Sequence, residues 1–132
     1  MRIGGKMAKD IKQAKASGCF PWPIEQEFKH YVLCEDKYAV TQGHTLFMPK
    51  INNTEYLVIT FQAALQYGNW LVLNGTCDAF NIGMNCGEAA GQTVMYPHIH
   101  VIPRRFGDCE DPIGGVHGVI AGKANYKKSS YK

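Results

Sequence analysis

Two histidines separated by one residue are the strongest chemical signal in this sequence. His98 and His100 lie in a stretch, residues 95–101, in which apolar and polar side chains largely alternate. Alternation predicts a half-buried β-strand, on which every second residue faces the same side at a spacing of about 6.6 Å. We therefore expect the two imidazoles to stand side by side on one face, with Tyr96 next in line.

A neutral imidazole is a good nucleophile. Its unperturbed pKa near 6.5 leaves it largely neutral at neutral pH. To attack phosphorus, His98 or His100 must present one bare nitrogen while the other holds a proton against an acceptor. The pair alone leaves two alternatives open: surface histidines of a half-exposed strand, or zinc ligands with His44, His30 or a cysteine as the third ligand.

The loop before the predicted strand is built for close backbone approach. Residues 87–91 hold two glycines and two alanines, and clusters of accessible backbone N–H groups bind anions, phosphate above all. Asn85, Gln92 and Thr93 could add side-chain donors. A plain hairpin connection explains the same composition, but the position directly before the two histidines favours phosphate.

Length and charge limit the class of protein. The chain has 132 residues and a net charge of +3, which predicts one domain and suits anionic ligands without calling for nucleic acid. We divide the chain into an N-terminal extension (1–23), a domain (24–120) and a basic C-terminal tail (121–132). We expect the tail to be poorly ordered, with attraction to phosphate as the alternative.

The cysteines predict a reducing compartment. There are five, an odd number; none has C-x-x-C spacing, and no apolar leader precedes them, which together predict reduced thiols and a cytoplasmic location. Cys34 and Cys86 lie in apolar runs, and we predict that both are small core residues.

A long uncharged stretch, residues 56–77, predicts one amphipathic helix rather than a membrane span. Apolar residues recur through it at helical spacing, and polar residues interrupt it. Helix-capping residues lie before it at 52–55 and after it at Asn74-Gly75.

Period-two patterns and turn residues delimit the strands. They predict strands at residues 28–34, 38–40, 45–48, 79–85 and 93–102. Strands, a helix and two further adjacent strands predict an α+β domain with a largely antiparallel sheet. Upstream, a weak helical tendency ends at Gly18, and residues 20–23, two aromatics alternating with two prolines, predict an apolar strap on the domain.

Three blocks of this sequence, in order, resemble the histidine-triad (HIT) superfamily. The pattern Gly91-Gln92-Thr93-Val94-x-x-x-His98-Ile99-His100-Val101-Ile102-Pro103-Arg104 is similar to the family signature. Residues 80–90 resemble the strand and loop before it, and Gly43-His44-Thr45-Leu46-x-x-Pro49-Lys50 resembles the upstream element. The resemblance runs from about Asp36 to Arg105, over half of the chain.

The resemblance implies a fold and an activity. The implied fold is α+β and HIT-like, an antiparallel sheet of about five strands with one long helix, paired as a homodimer. The implied reaction is hydrolysis at the α-phosphate of dinucleoside polyphosphates or nucleoside phosphoramidates. No tightly bound cofactor or metal is implied, although magnesium can arrive with the nucleotide.

The resemblance also assigns roles. His98 corresponds to the nucleophile, which would form a transient nucleotidyl-histidine that water cleaves; His100 corresponds to the last triad histidine. The remaining correspondences are His44 to the additional upstream histidine, Asp36 to the carboxylate that binds ribose hydroxyls, and the phosphate-contacting positions to Asn85, Gln92 and Thr93.

Two departures from the family pattern stand out. Tyr96, which we count among the substrate-binding residues, occupies the first triad position, and a tyrosine does not titrate near neutrality. We expect activity, narrowed or slowed, and the alternative is a nucleotide-binding protein that has lost turnover. Zinc-carrying relatives have a C-x-x-C near the start, whereas Cys19 here has no such partner, so we expect no structural zinc.

Overall fold

Five antiparallel strands form one sheet in the computed structural model, which describes residues 7–128. The strands are β1 (Gln26–Glu27), β2 (Tyr31–Glu35), β3 (Thr45–Pro49), β4 (Ala79–Gly83) and β5 (Ile99–Arg104), and the helices are α1 (Ile11–Ala16) and α2 (Thr54–Leu73). Their order across the sheet is β1-β2-β3-β5-β4. The predicted α+β fold, with about five antiparallel strands and one long helix, is confirmed.

The long helix α2 begins and ends where the capping residues predict. The side chain of Asn53 accepts from the backbone N–H of Tyr56, and the chain leaves the helix after Leu73 through Asn74 and a left-handed Gly75 at φ 78°. The buried residues Thr60, Ala64, Gly68 and Leu71 form the stripe that packs on the sheet. Within residues 7–128, no helix combines the length and hydropathy needed to cross a bilayer.

The two faces of the sheet carry two separate hydrophobic clusters. One cluster packs against α2 and contains Leu33, Phe47, Ala64, Ile99 and Val101. The opposite face packs against the N-terminal part of the chain, and its buried members include Val32, Cys34, Leu46 and Met48. His100 pairs with Leu46 in the sheet register, so it projects on the face opposite α2.

The N-terminal segment, residues 8–23, forms a layer on that second face. Ile11 and Ala14 of α1 are buried in the cluster, the helix is followed by a left-handed Gly18, and Phe20 is buried beyond it. Asp10 forms an isolated antiparallel bridge with Ile51, which ties the segment to the chain after β3. Residues 20–23 thus pack on the domain as the predicted apolar strap.

The last predicted strand is shorter than the sequence pattern. Alternating burial holds from Ile99 to Arg104, but residues 93–98 lie outside the strand. Pro97 has no N–H for a sheet ladder, and Gln92 donates its side-chain N–H groups to the carbonyls of Val94 and Met95. His98 therefore lies just before β5.

Two further strand predictions need correction. Of the predicted run 28–34, only residues 31–34 lie in a strand, β2, because residues 29–30 form a bend; β1 lies before the predicted run. The run 38–40 is a turn, because the side chain of Asp36 accepts from the N–H of Tyr38 and its carbonyl accepts from Ala39.

The cysteine predictions divide. Cys34 is fully buried on β2, and burial raises the pKa of its thiol to about 11. Cys86 is exposed, and the prediction that it is a core residue was wrong, since β4 ends at Gly83 and the chain is already in the loop. Residues 121–128 of the predicted basic tail lie in turns or irregular coil, and their side chains are exposed or half-buried. Residues 129–132 lie outside the described part of the chain.

Candidate active site

His98 presents one bare ring nitrogen. Its Nδ1 lies 2.8 Å from the carbonyl oxygen of Tyr96, and a carbonyl can only accept, so Nδ1 carries the proton and Nε2 does not. Only 8% of the residue is exposed, and burial lowers the pKa of His98 below its ordinary value. The imidazole is thus held neutral, in the tautomer that a nucleophile requires.

His44 and His100 form a second hydrogen-bonded pair beside it. The N–H of Val40 donates to Nδ1 of His44 at 3.1 Å, which assigns the His44 proton to Nε2. That Nε2 lies 2.9 Å from Nδ1 of His100. Because Nε2–H of His44 donates to Nδ1 of His100, the proton of neutral His100 lies on its own Nε2.

Burial keeps this pair neutral. It lowers the pKa of His100 to about 4, with His98 and His44 acting in the same direction and Asp36 opposing them. It also lowers the pKa of His44, again against the attraction of Asp36. Three neutral imidazoles therefore line one region of the sheet face, and the ring centroids of His98 and His100 are 5.3 Å apart.

Asp36 joins the histidines from the turn after β2. Its Oδ2 lies 3.3 Å from Nε2 of His44 and 3.7 Å from Nδ1 of His100, while Oδ1 accepts from the N–H of Tyr38 at 2.8 Å. The carboxylate is thereby fixed at the edge of the histidine cluster.

Among residues 7–128, Asp36, His44 and His100 form a group of potential metal ligands. Ligand atoms of Asp36, His44 and His100 lie within 4.8 Å of one another, whereas the set considered from sequence placed His98 in the position of Asp36. The N–H of Val40 faces Nδ1 of His44, so the neutral ring holds its proton on Nε2, the atom that would have to bind the ion. The donor set fits a hydrogen-bond network better than a metal.

The small-residue loop before the histidines is held by one buried side chain. Gln92 accepts from the N–H of Gly87 at 2.7 Å and donates to the carbonyls of Val94 and Met95 at 3.1 Å each. Its polar atoms are therefore used within the loop, although the sequence pattern predicted that they contact phosphate. Asn85 is half-buried and Thr93 exposed, and both line the same cavity as His98 and His100.

A cavity of about 910 Å³ collects most of the predicted site. We call it the catalytic cavity; among the residues that line it are His98, His100, Asp36, Asn85 and Thr93. His44 lies behind it through His100 and Asp36.

Two aromatic residues of the catalytic cavity were not singled out as functional from the sequence. Trp22 lies over His98, with the two ring centroids 4.7 Å apart, and Tyr38 is largely exposed at the rim. The alternation of prolines and aromatics at residues 20–23 was the available signal, but it was interpreted as packing alone.

Tyr96 occupies the first triad position without facing the catalytic cavity. Its side chain is 2% exposed, its hydroxyl donates to the carbonyl of Pro49 at 2.7 Å, and its ring lies 5.5 Å from that of Phe20. Burial raises the pKa of Tyr96, so the hydroxyl keeps its proton. Tyr96 serves the site through the carbonyl that orients His98, and the predicted substrate contact of its side chain has no counterpart in this geometry.

Comparison with known proteins agrees with this arrangement. A family model described as the HIT domain matches residues 23–107, and the chain belongs to this family. The chain is 35% identical over 81 residues to adenylylsulfatase HINT3 of Arabidopsis thaliana. The match covers 56% of this chain and 41% of that protein. It thus spans less than half the length of that relative.

Solved structures from the family have the same fold. A HIT family protein from Bacillus anthracis superposes with a TM-score of 0.58 at 29% identity, covering 75% of each chain. A hypothetical histidine triad nucleotide-binding protein from Sulfolobus tokodaii superposes with a TM-score of 0.55 at 27% identity, covering 65% of this chain and 62% of the other. The family therefore includes relatives whose names record nucleotide binding and hydrolysis.

Proposed function

We propose that this protein hydrolyses nucleotides at the α-phosphate through a covalent intermediate on His98. One observation carries the proposal: Nδ1 of His98 donates to the Tyr96 carbonyl at 2.8 Å, so a bare Nε2 is available at the catalytic cavity. The substrates we propose are dinucleoside polyphosphates, nucleoside phosphoramidates and related nucleotides. The nucleotide-binding and adenylylsulfatase relatives support this class.

The reaction has two displacement steps at phosphorus. In the first, Nε2 of His98 forms a bond to the α-phosphorus, and the bond to the leaving group breaks with its electron pair. In the second, water attacks the same phosphorus, releases the nucleoside monophosphate and returns the lone pair to Nε2. Asn85 and Thr93, which line the catalytic cavity, stabilise charge on the phosphoryl oxygens. The N–H groups of Gly87, Ala90 and Gly91 donate within the loop, so they hold its shape.

The rest of the catalytic cavity suits a nucleoside. Trp22 and Tyr38 offer aromatic faces for stacking on a base, and base–aromatic stacking contributes about 1–3 kcal/mol in nucleic-acid complexes. Asp36 offers carboxylate oxygens to ribose hydroxyls. We propose that His100 contacts the phosphate and that His44 positions His100 through the 2.9 Å hydrogen bond.

We extend the proposal to cofactors, assembly and location. No tightly bound metal takes part, and magnesium enters only with a polyphosphate substrate. The protein acts as a homodimer in the cytoplasm. Light scattering tests the dimer, and unpaired thiols at all five cysteines are compatible with a reducing compartment.

The test is to trap the intermediate. The protein is mixed with adenosine 5′-phosphoramidate or a diadenosine polyphosphate, quenched at alkaline pH because phosphorus–histidine bonds are acid-labile, and measured by intact-mass spectrometry. We expect one added adenylyl group, and neither adduct nor turnover in His98→Ala. The matched control is His30→Ala, a half-buried histidine whose ring contacts Tyr56.

Two results would overturn the assignment. Unchanged turnover in His98→Ala would remove the nucleophile. Tight nucleotide binding with no adduct and no product in the wild type would identify a nucleotide-binding protein without turnover, the alternative raised by Tyr96.

A further inference from the structure

The apolar strap, residues 20–23, is part of a closed ring of contacts around His98. Trp22 lies against His98, with ring centroids 4.7 Å apart and ring planes tilted by 52°. Phe20 contacts Trp22 edge to face at 5.1 Å and contacts the ring of Tyr96 at 5.5 Å. The carbonyl of Tyr96 in turn accepts from Nδ1 of His98. His98 is therefore held twice, once by the backbone of residue 96 and once by the strap.

The sequence of the strap restricts its own conformation. Each of its aromatic residues is followed by a proline, Phe20 by Pro21 and Trp22 by Pro23. A proline fixes its own φ and keeps the residue before it in extended conformations. The backbone of both aromatic residues is thus restricted before the strap packs on the domain. Both prolines are exposed, whereas Phe20 is buried and anchors the strap in the core.

The hydrogen bond to Tyr96 does not by itself fix the His98 ring. It restrains one atom, Nδ1, and the imidazole could still rock about that contact. The indole of Trp22 packs against the ring and opposes this movement, and the ring of His100 is a further contact at 5.3 Å. The direction of the Nε2 lone pair depends on all of these contacts. Such precision matters, because a misplacement of about 1 Å can slow a reaction about 100-fold.

We propose that Trp22 is a positioning residue, which holds the His98 imidazole in the orientation that directs Nε2 at the α-phosphorus. The inference rests on the proposed function, in which His98 is the nucleophile. Pro21 and Pro23 keep the indole in place by restricting the strap. Residues 20–22 precede residue 23, where the family match begins, so this support lies outside the segment that the family model describes.

Positioning must be separated from the base stacking that Trp22 also offers. The test uses two substrates, adenosine 5′-phosphoramidate and 1-deoxyribose 5-phosphoramidate, which lacks the base. The rate of P–N cleavage is measured in a single turnover with saturating protein in excess over substrate. We expect Trp22→Ala to lower this rate about 10- to 100-fold, and by the same factor for both substrates, since the orientation of His98 does not depend on a base.

Further variants separate positioning from support of the fold. Trp22→Phe keeps a ring against His98 and should recover most of the rate. Pro23→Ala keeps the indole but loosens its backbone, so it should slow cleavage by a smaller factor than Trp22→Ala, and it tests the same role if Trp22→Ala does not fold. The matched control is Phe106→Ala, which removes an aromatic ring that is 93% exposed and should react at the wild-type rate. Calorimetric titration with AMP should give the wild-type number of sites in every variant.

Three results would overturn the inference while leaving the proposed function intact. The first is a wild-type rate of P–N cleavage in Trp22→Ala, or in Pro23→Ala where Trp22→Ala does not fold. The second is a loss confined to the adenosine substrate, which would make Trp22 a platform for the base alone. The third is a reduced number of AMP sites with an unchanged rate per site, which would make the strap a support of the fold alone. Absence of P–N cleavage in the wild type overturns the proposed function itself, and the inference with it.

Discussion

Nδ1 of His98 lies 2.8 Å from the carbonyl oxygen of Tyr96, two residues earlier in the chain. The hydrogen bond needs only the backbone of residue 96, so the side chain at the first triad position is released from the site. It is used instead in the core, where the Tyr96 hydroxyl donates to Pro49. The departure of this sequence from three histidines therefore leaves the hydrogen bond that orients His98 intact.

The pH dependence of turnover follows from the same burial. Burial lowers the pKa of His98, so the ring stays neutral to lower pH than a free imidazole. We expect the acid limb of kcat/KM for a diadenosine polyphosphate to have its midpoint below pH 6.5, the ordinary histidine value. A diadenosine polyphosphate is used because a phosphoramidate is itself protonated in acid, and that protonation would add to the pH dependence of the enzyme. A midpoint at or above the ordinary value would contradict the burial argument.

Removal of the Tyr96 hydroxyl should weaken the fold. Tyr96→Phe leaves the buried Pro49 carbonyl without its partner, which costs about 1–3 kcal/mol. Urea unfolding followed by circular dichroism measures the loss. The comparison variant is Tyr38→Phe, since Tyr38 is largely exposed and should unfold at the wild-type midpoint. Equal midpoints for all three proteins would mean that the buried hydrogen bond contributes no stability.

Gly68 of α2 packs directly against the ring of Phe80 on β4. A Cβ there would lie 2.3 Å from the ring of Phe80, so the helix or the ring must move. At an exposed helical site, glycine to alanine stabilises by about 1 kcal/mol, but here overpacking should reverse the sign and destabilise by about 1–3 kcal/mol. Thermal unfolding decides between the two, with the exposed Gln66→Ala on the same helix as control; a raised midpoint in Gly68→Ala would refute the close packing.

Periodicity and capping residues predicted the elements whose local preference and packing agree. The helical spacing of apolar residues and the caps at Asn53 and Asn74 located α2, and the run before Pro49 located β3. In each of these elements, the buried stripe or face seen in the structure is the one that the pattern indicates. Such segments can be predicted from a single sequence because their local conformational preferences agree with their tertiary packing.

The failures have local causes. The residues 38–40 have strand-like side chains, but Asp36 captures the N–H of Tyr38 and folds them into a turn. The strand predicted from Thr93 begins only at Ile99, because Pro97 lacks a donor and Gln92 occupies two of the carbonyls. Side-chain to backbone hydrogen bonds of this kind depend on rotamers, which periodicity does not record.

The residues of the site were predicted from the sequence, but the hydrogen bonds that connect them were not. The sequence indicated His98, His100 and His44, yet the direction of each ring proton follows from backbone partners, the Tyr96 carbonyl and the Val40 N–H. Trp22 escaped notice because its closeness to His98 is a contact between segments far apart in the chain. Such long-range contacts leave no spacing in the sequence.

The N-terminal layer on the catalytic face limits where this chain can be cut. Its buried residues Ile11, Ala14 and Phe20 precede residue 23, where the family match begins, and they cover part of the apolar face formed by β2 and β3. A protease that removed them would strip the support from beneath Tyr96 and so loosen the carbonyl that orients His98. The segment before the family match therefore stabilises the site. We expect a shortened protein that begins at residue 23 to aggregate.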